Sequence, residues 1–204
     1  AFCGCSSLTQ ITIPSSVTEI GNSIFNGVKT LEMRGDIQHI PNNLFSKCSS
    51  LTQITIPSSV TEIEDYAFYG CSSLTEISFE IPSSLTSIGD NTFYYCKSLT
   101  KITIPSSTTS IGNNAFYGCS SLTKILFEAS SSLNSIRSCA FSECSSLSQI
   151  TIPSSVNFIG KNTFKNCSSL TQITIPSSVT LIGDYTFFGC SKLTQITIPS
   201  SATY

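Results

Sequence analysis

The chain has 204 residues, 40% of them hydrophobic and 11% charged, with a net charge of −2 and a mean hydropathy of +0.20. That is enough apolar material to bury a core, which excludes a disordered chain, and it leaves no basic field for nucleic acid or an anionic membrane surface. No apolar run approaches the roughly 18 residues of a membrane-spanning helix, and nothing at the start resembles a signal peptide. A chain that opens Ala1-Phe2-Cys3 without Met reads as part of a larger protein, with any targeting signal outside it.

Phe2 is the first of nine in-phase phenylalanines, followed by Phe25, Phe45, Phe68, Phe93, Phe116, Phe141, Phe164 and Phe187 at steps of 23, 20, 23, 25, 23, 25, 23 and 23 residues. A fixed period in the twenties is the signature of a solenoid, in which each unit buries its apolar face only against its neighbours. The chain is therefore expected to form one domain over 1–204. The segment CSSLTQITIPSSVT is written letter for letter at 5–18, 48–61 and 167–180. Such repetition suits scaffold better than a catalytic site, which brings unlike residues together once.

Within each unit, x-I-x-I-P alternates with period two and ends at a proline that cannot donate to a ladder, so it predicts a short strand. Nine such strands in parallel would span roughly 40 Å at about 4.8 Å per rung. The return half, V-T-x-I-G-x-x-A-F-x-x-C, predicts turns with a short 3₁₀ or helical segment. The glycine of that half, as in Ile20-Gly21 and Ile159-Gly160, is read as a turn position that favours positive φ. Glu64 and Arg137 stand there in other units. The second unit is three residues short before Leu31-Glu32-Met33, and the fourth and sixth each gain two after Phe79-Glu80-Ile81 and Phe127-Glu128-Ala129.

With Leu8, Ile11, Ile13, Val17 and Ile20 aligned, the unit matches L-x-x-L-x-L-x-x-x-x-L. Its I-P after the strand, its I-G-x-x-A-F before a cysteine and its 23-residue period resemble the Treponema pallidum-type, or BspA-like, leucine-rich repeats. The Ser/Thr-rich wording resembles the large families of protozoan parasites such as Trichomonas. The resemblance covers the whole chain. It implies a leucine-rich-repeat solenoid, α/β in class but β-dominated, as a curved right-handed array of about nine 20–25-residue repeats with one parallel sheet on the concave face. It also implies cell-surface display or secretion and attachment to host or extracellular-matrix proteins. No catalytic residue is carried over, because the family motif contains none.

Eight of the ten cysteines, at 5, 48, 71, 96, 119, 144, 167 and 190, share one repeat position, which Val28 fills in the second unit. Side chains in such a row point the same way, which disulfide geometry resists, and a position that accepts valine suits a buried reduced thiol. His39 is the only histidine, so a metal site lacks its second ligand type. Cys3 and Cys139 are out of phase and expected to be exposed. There is no phosphate loop, no nucleophile arrangement around His39 and no close carboxylate pair, so neither an enzyme nor a cofactor is expected. Asn166-Cys167-Ser168 matches the N-glycosylation pattern with a predicted core cysteine at its centre.

Function must then lie where exposed positions differ. One strand row reads Gln10, Gln53, Glu76, Lys101, Lys124, Gln149, Gln172, Gln195, and its companion Thr12, Thr55, Ser78, Thr103, Leu126, Thr151, Thr174, Thr197. Glu76, Glu80, Lys101, Lys124, Leu126 and Glu128 break this monotony on the central rungs and are one candidate partner-binding set. Tyr69, Tyr94 and Tyr117, with Tyr66 and Tyr95 nearby, form an in-phase outer stripe and are the other. Solvated drift on the sheet and ring packing along the stripe are the bland alternatives. The reading is a non-catalytic protein-binding module of a surface protein. The alternative is a structural spacer whose binding site lies elsewhere, which the near-identity of the units favours. The threonine row could also suit ice or carbohydrate, though a single row on a curved sheet suits them poorly. Exposed strand edges at the ends suggest end-to-end self-association.

Overall fold

The computed structural model describes residues 2, 4, 5, 7–12 and 24–202. Expectations for Cys3, Ile13, Val17, Ile20 and Gly21 lie outside the described residues. In chain order the strands are β1 (Gln10–Thr12), β2 (Thr30–Arg34), β3 (His39–Ile40), β4 (Gln53–Ile56), β5 (Glu62–Ile63), β6 (Glu76–Phe79), β7 (Ser87–Ile88) and β8 (Lys101–Ile104). They continue as β9 (Ser110–Ile111), β10 (Lys124–Phe127), β11 (Ser135–Ile136), β12 (Gln149–Thr151), β13 (Phe158–Ile159), β14 (Gln172–Thr174), β15 (Leu181–Ile182) and β16 (Gln195–Thr197). All pairings are parallel.

The longer strands follow the x-I-x-I alternation: Ile54 and Ile56 are buried, Gln53 is exposed, and Pro57 ends the run. The return half contains no helix among the described residues. Instead, Val60 and Ile63 are buried, Ile63 within the two-residue strand β5, and the two-residue strands of seven rungs build a second parallel sheet, β3-β5-β7-β9-β11-β13-β15. Both halves of each rung are thus extended, with turns closing them.

Between the sheets runs the core. The landmark phenylalanines stack ring on ring from Phe2 to Phe187, with centroids 5.0 Å apart at Phe45–Phe68 and 5.8 Å at Phe164–Phe187. Beside them, Cys48, Cys71, Cys96, Cys119, Cys144 and Cys167 are fully buried free thiols. From Cys71 onward the thiols donate across the rungs, Cys71 to the Phe45 carbonyl at 2.9 Å and Cys119 to the Phe93 carbonyl at 3.1 Å. The Phe45 carbonyl already accepts the Cys48 amide at 3.0 Å, so the thiol fills its second lone pair. Burial, the dominant cause, pushes the thiols of Cys71, Cys96, Cys119, Cys144 and Cys167 up from their ordinary range.

The serines and threonines join the rungs in the same manner. The hydroxyls of Thr52, Thr75 and Thr123 donate to the carbonyls of Lys29, Thr52 and Thr100 at 2.9 to 3.0 Å. Ser107, Ser155 and Ser178 donate to Leu85, Leu133 and Val156 at 2.6 to 2.7 Å. Among the described residues no buried side-chain N or O lacks a partner.

The glycine expectation is corrected. Gly89, Gly112, Gly160 and Gly183 do not have positive φ; they are needed for close approach, since a Cβ on Gly89 would lie 2.8 Å from the Glu64 carbonyl carbon. The left-handed positions fall elsewhere in the turn, at Asn43, Tyr66, Asn91, Asn114, Cys139, Asn162 and Tyr185, and again just before the ladder cysteines. Asparagine is the non-glycine residue that tolerates this region best, which explains its recurrence.

Candidate binding surface

The face of the longer strands carries two rows in register. Gln53, Glu76 and then Lys101, Lys124 and Gln149 occupy one, with Thr55–Ser78 and Thr103–Leu126 in the other. Thr55 and Ser78 share a hydrogen bond of 3.0 Å, and the Gln53 amide donates to the Glu76 carboxylate at 3.3 Å.

The sheet is not continuous. β4 and β6 are aligned over four residue pairs, as are β8 and β10. Yet no ladder joins β6 to β8, and β10 and β12 keep a single pair, Lys124–Gln149. Each opening follows a rung that carries an insertion. There Glu80 and Glu128 stand where Pro57 and Pro105 end the preceding strands. Their amides donate to the carbonyls of Ile56 and Ile104 at 3.0 and 3.1 Å. Their carboxylates reach back one rung to accept the amides of Ser58 and Ser106, at 3.0 and 2.9 Å. The extra residues stand at the strand exits. Ile81, 84% exposed, lines the first opening.

Two grooves result. One of about 220 Å³ lies between β6 and β8, lined by Glu76, Ile77, Phe79, Ile81, Lys101 and Thr103, with Glu128 at its edge. The other, about 320 Å³, lies between β10 and β12 and is lined by Leu126, Phe127, Glu128, Thr151, Pro153 and Ser154 among others. Lys101 and Lys124 are exposed and directly opposite in register, between the grooves. Neither lysine belongs to an ion pair; among the described residues those are Arg34–Glu32 and His39–Glu62.

The structure therefore divides the predicted central set. Glu76, Lys101, Leu126 and Glu128 line grooves, and Lys124 lies beside Lys101. Glu80 and Glu128 are backbone caps of the inserted turns, a role that chain position alone does not reveal.

On the outer turns Tyr69, Tyr94 and Tyr117 stack with centroids 5.3 and 4.8 Å apart, half-buried. Tyr95 meets Tyr94 and Tyr117 edge-on at 4.6 and 5.7 Å, and the Lys97 ammonium lies 5.4 Å from its ring. Burial first, then the neighbouring rings, pushes the Tyr94 hydroxyl up; burial and Glu143 do the same to Tyr117. The ring faces are largely taken up by one another, so the stripe offers edges and hydroxyls.

Cys139 is half-buried at φ 58. Asn166 has φ 59 and donates its side-chain amide to Glu143 at 2.7 Å, with Cys167 buried beside it. No group of three or more His, Cys, Asp or Glu among the described residues could hold a metal ion, and no helix is long and apolar enough to cross a membrane.

A parallel solenoid with one short I-x-I strand per rung is the architecture of leucine-rich-repeat proteins. The chain belongs to the BspA type leucine rich repeat region family, whose pattern recurs in six copies over residues 1–97, 77–167 and 127–204. A leucine-rich repeat protein from Bacteroides ovatus is 32% identical with a TM-score of 0.66, over 96% of this chain and 56% of that one. The Treponema pallidum leucine rich repeat protein is 26% identical with a TM-score of 0.55, over 95% and 71%. The pneumococcal vaccine antigen PcpA shares the fold at 23% identity and a TM-score of 0.61, over 96% and 62%. This chain thus spans little more than half of the Bacteroides protein. No curated protein matches it.

Proposed function

We propose that the chain is a non-catalytic protein-binding module of a surface-displayed or secreted protein, and that it holds a host or extracellular-matrix protein on the central rungs of the longer-strand face. The observation that carries this reading is the coincidence of departures there. Both insertions, both openings of the sheet, the unpaired lysines and the exposed side chains of Ile81 and Leu126 all fall within rungs four to seven, while neighbouring rungs keep the repeat wording. Glu80 and Glu128 cap the inserted turns, but Lys101, Lys124, Ile81 and Leu126 depart from the scaffold pattern at the surface, where changes move stability by no more than about 0.5 kcal/mol.

The test compares the parent with two variants on an immobilised extracellular-matrix extract. Lys101→Gln, Lys124→Gln and Leu126→Thr together return the face to the wording of β12 and β14, so the fold has precedent for each change. Tyr69→Ala, Tyr94→Ala and Tyr117→Ala together remove the stripe. Attachment lost in the first variant and kept in the second supports the reading. Loss only in the second moves the site to the stripe. Equal attachment by all three makes this segment a spacer.

A further inference from the structure

Along the solenoid axis the order of features is a groove, two lysines, and a groove. The first groove lies between rungs four and five, the lysines on rungs five and six, and the second groove between rungs six and seven. Like charges opposite each other on adjacent parallel strands repel. At every other described rung of this row from β4 to β14 the residue is Gln or Glu. The lysines make no ion pair and are flanked by two recesses that mix apolar lining, such as Ile77, Phe79, Leu126 and Phe127, with the carboxylates of Glu76 and Glu128. The pair is complementary to a ligand that carries negative charge between two apolar groups.

Spacing narrows the ligand further. Two rungs separate the grooves by about 10 Å at about 4.8 Å each, and the second groove sits toward the strand exits, making the diagonal about 12 Å. Four residues of extended chain cover about 13 Å, and side chains at i, i+2 and i+4 share one face. We propose, resting on the binding-module reading above, that the central face takes an extended peptide segment of the form apolar-x-acidic-x-apolar, laid diagonally across the rungs. Its carboxylate lies between Lys101 and Lys124, and its apolar side chains enter the first groove at its Ile77 end and the second beside Leu126. A basic segment would meet the same lysines as repulsion, so the surface discriminates by charge sign as well as by spacing.

The test uses the whole chain and a fluorescein-labelled peptide, GSLTETVSG, read by fluorescence polarisation. Three comparison peptides replace the central glutamate with lysine, replace both apolar residues with serine, or place the glutamate two positions outside the apolar pair. Expected results are saturable binding of the first peptide, weakened at least tenfold in each comparison peptide and in the Lys101→Gln, Lys124→Gln variant, and weakened as ionic strength rises. The Tyr69→Ala, Tyr94→Ala, Tyr117→Ala variant should bind it like the parent. Absence of binding, or binding indifferent to the two lysines, overturns the proposal. Should the peptide fail while the triple central variant still loses the matrix extract, this inference falls and the binding-module reading stands. Should the peptide bind as expected while extract attachment is untouched, the peptide site is real and the reading of function falls.

Discussion

Raising the pH from 8 to 10 should destabilise this protein through its buried thiols. Cys71, Cys96, Cys119, Cys144 and Cys167 are held protonated to higher pH in the folded chain than the ordinary thiol value of 9.0, chiefly because burial penalises the thiolate. The unfolded chain gives up those protons near pH 9, so the contribution to stability is full below that pH and declines as pH climbs above it. For a group that stays protonated when folded, the loss between pH 8 and 10 is about 1 kcal/mol, and the buried thiols act in the same direction. The assay is urea unfolding followed by circular dichroism in reductant at pH 8, 9 and 10, on the parent and on Cys119→Val, a change with precedent in the fully buried Val28. The variant should lose about 1 kcal/mol less than the parent over the interval, and the comparison cancels the alkaline titration of lysine and tyrosine common to both. Parallel loss in parent and variant would refute the claim that burial controls this thiol.

Three further outcomes follow from the packing. Gly112→Ala should cost about 1–3 kcal/mol in urea unfolding, since its Cβ would lie 2.5 Å from the Gly89 carbonyl carbon, whereas Asn114→Gly at φ 53 should change stability by less than about 0.5 kcal/mol. Phe116→Ala should cost about 3–5 kcal/mol by the same measure, because the ring is fully buried and stacks on both Phe93 and Phe141, at 5.0 and 5.4 Å. Thr123→Val should cost about 1 kcal/mol in thermal melts by removing one hydroxyl bond to the Thr100 carbonyl while keeping the side-chain shape.

The period, the longer strands and the core rows were legible in the sequence because each rung repeats one local pattern and the phenylalanines keep it in phase. The second sheet was not, since Glu62–Ile63 and its equivalents are two-residue strands, too short for alternation to register, and only stacking identifies them. The glycines were read by the wrong property: a sequence shows that Gly89 lacks a Cβ but not that the Glu64 backbone occupies the space. On the candidate site, the charges and insertions were visible as departures from the repeat. Their consequence was not, because whether two extra residues bulge outward or part the next pair of strands depends on where Glu80 and Glu128 anchor. That anchor is a hydrogen bond across 22 residues to Ser58 and Ser106.

The threonine, serine and cysteine rows share a direction. In each, the later rung supplies the donor and the earlier rung the carbonyl, as with Thr75 to Thr52, Ser178 to Val156 and Cys96 to the Phe68 carbonyl. A unit that brings its own donors can be added wherever a completed rung already displays its carbonyls. During synthesis, each newly emerged segment meets these displayed carbonyls, and its own turn carbonyls accept amides left open on the earlier rung, as Ala67 accepts from Phe45 and Thr92 from Phe68. In the history of the gene, a duplicated unit arrives with its own fastenings and requires no matching change in its neighbours. Lengthening by copying is thus open to this architecture without redesign, and the three verbatim occurrences of one fourteen-residue segment are the record such a process leaves.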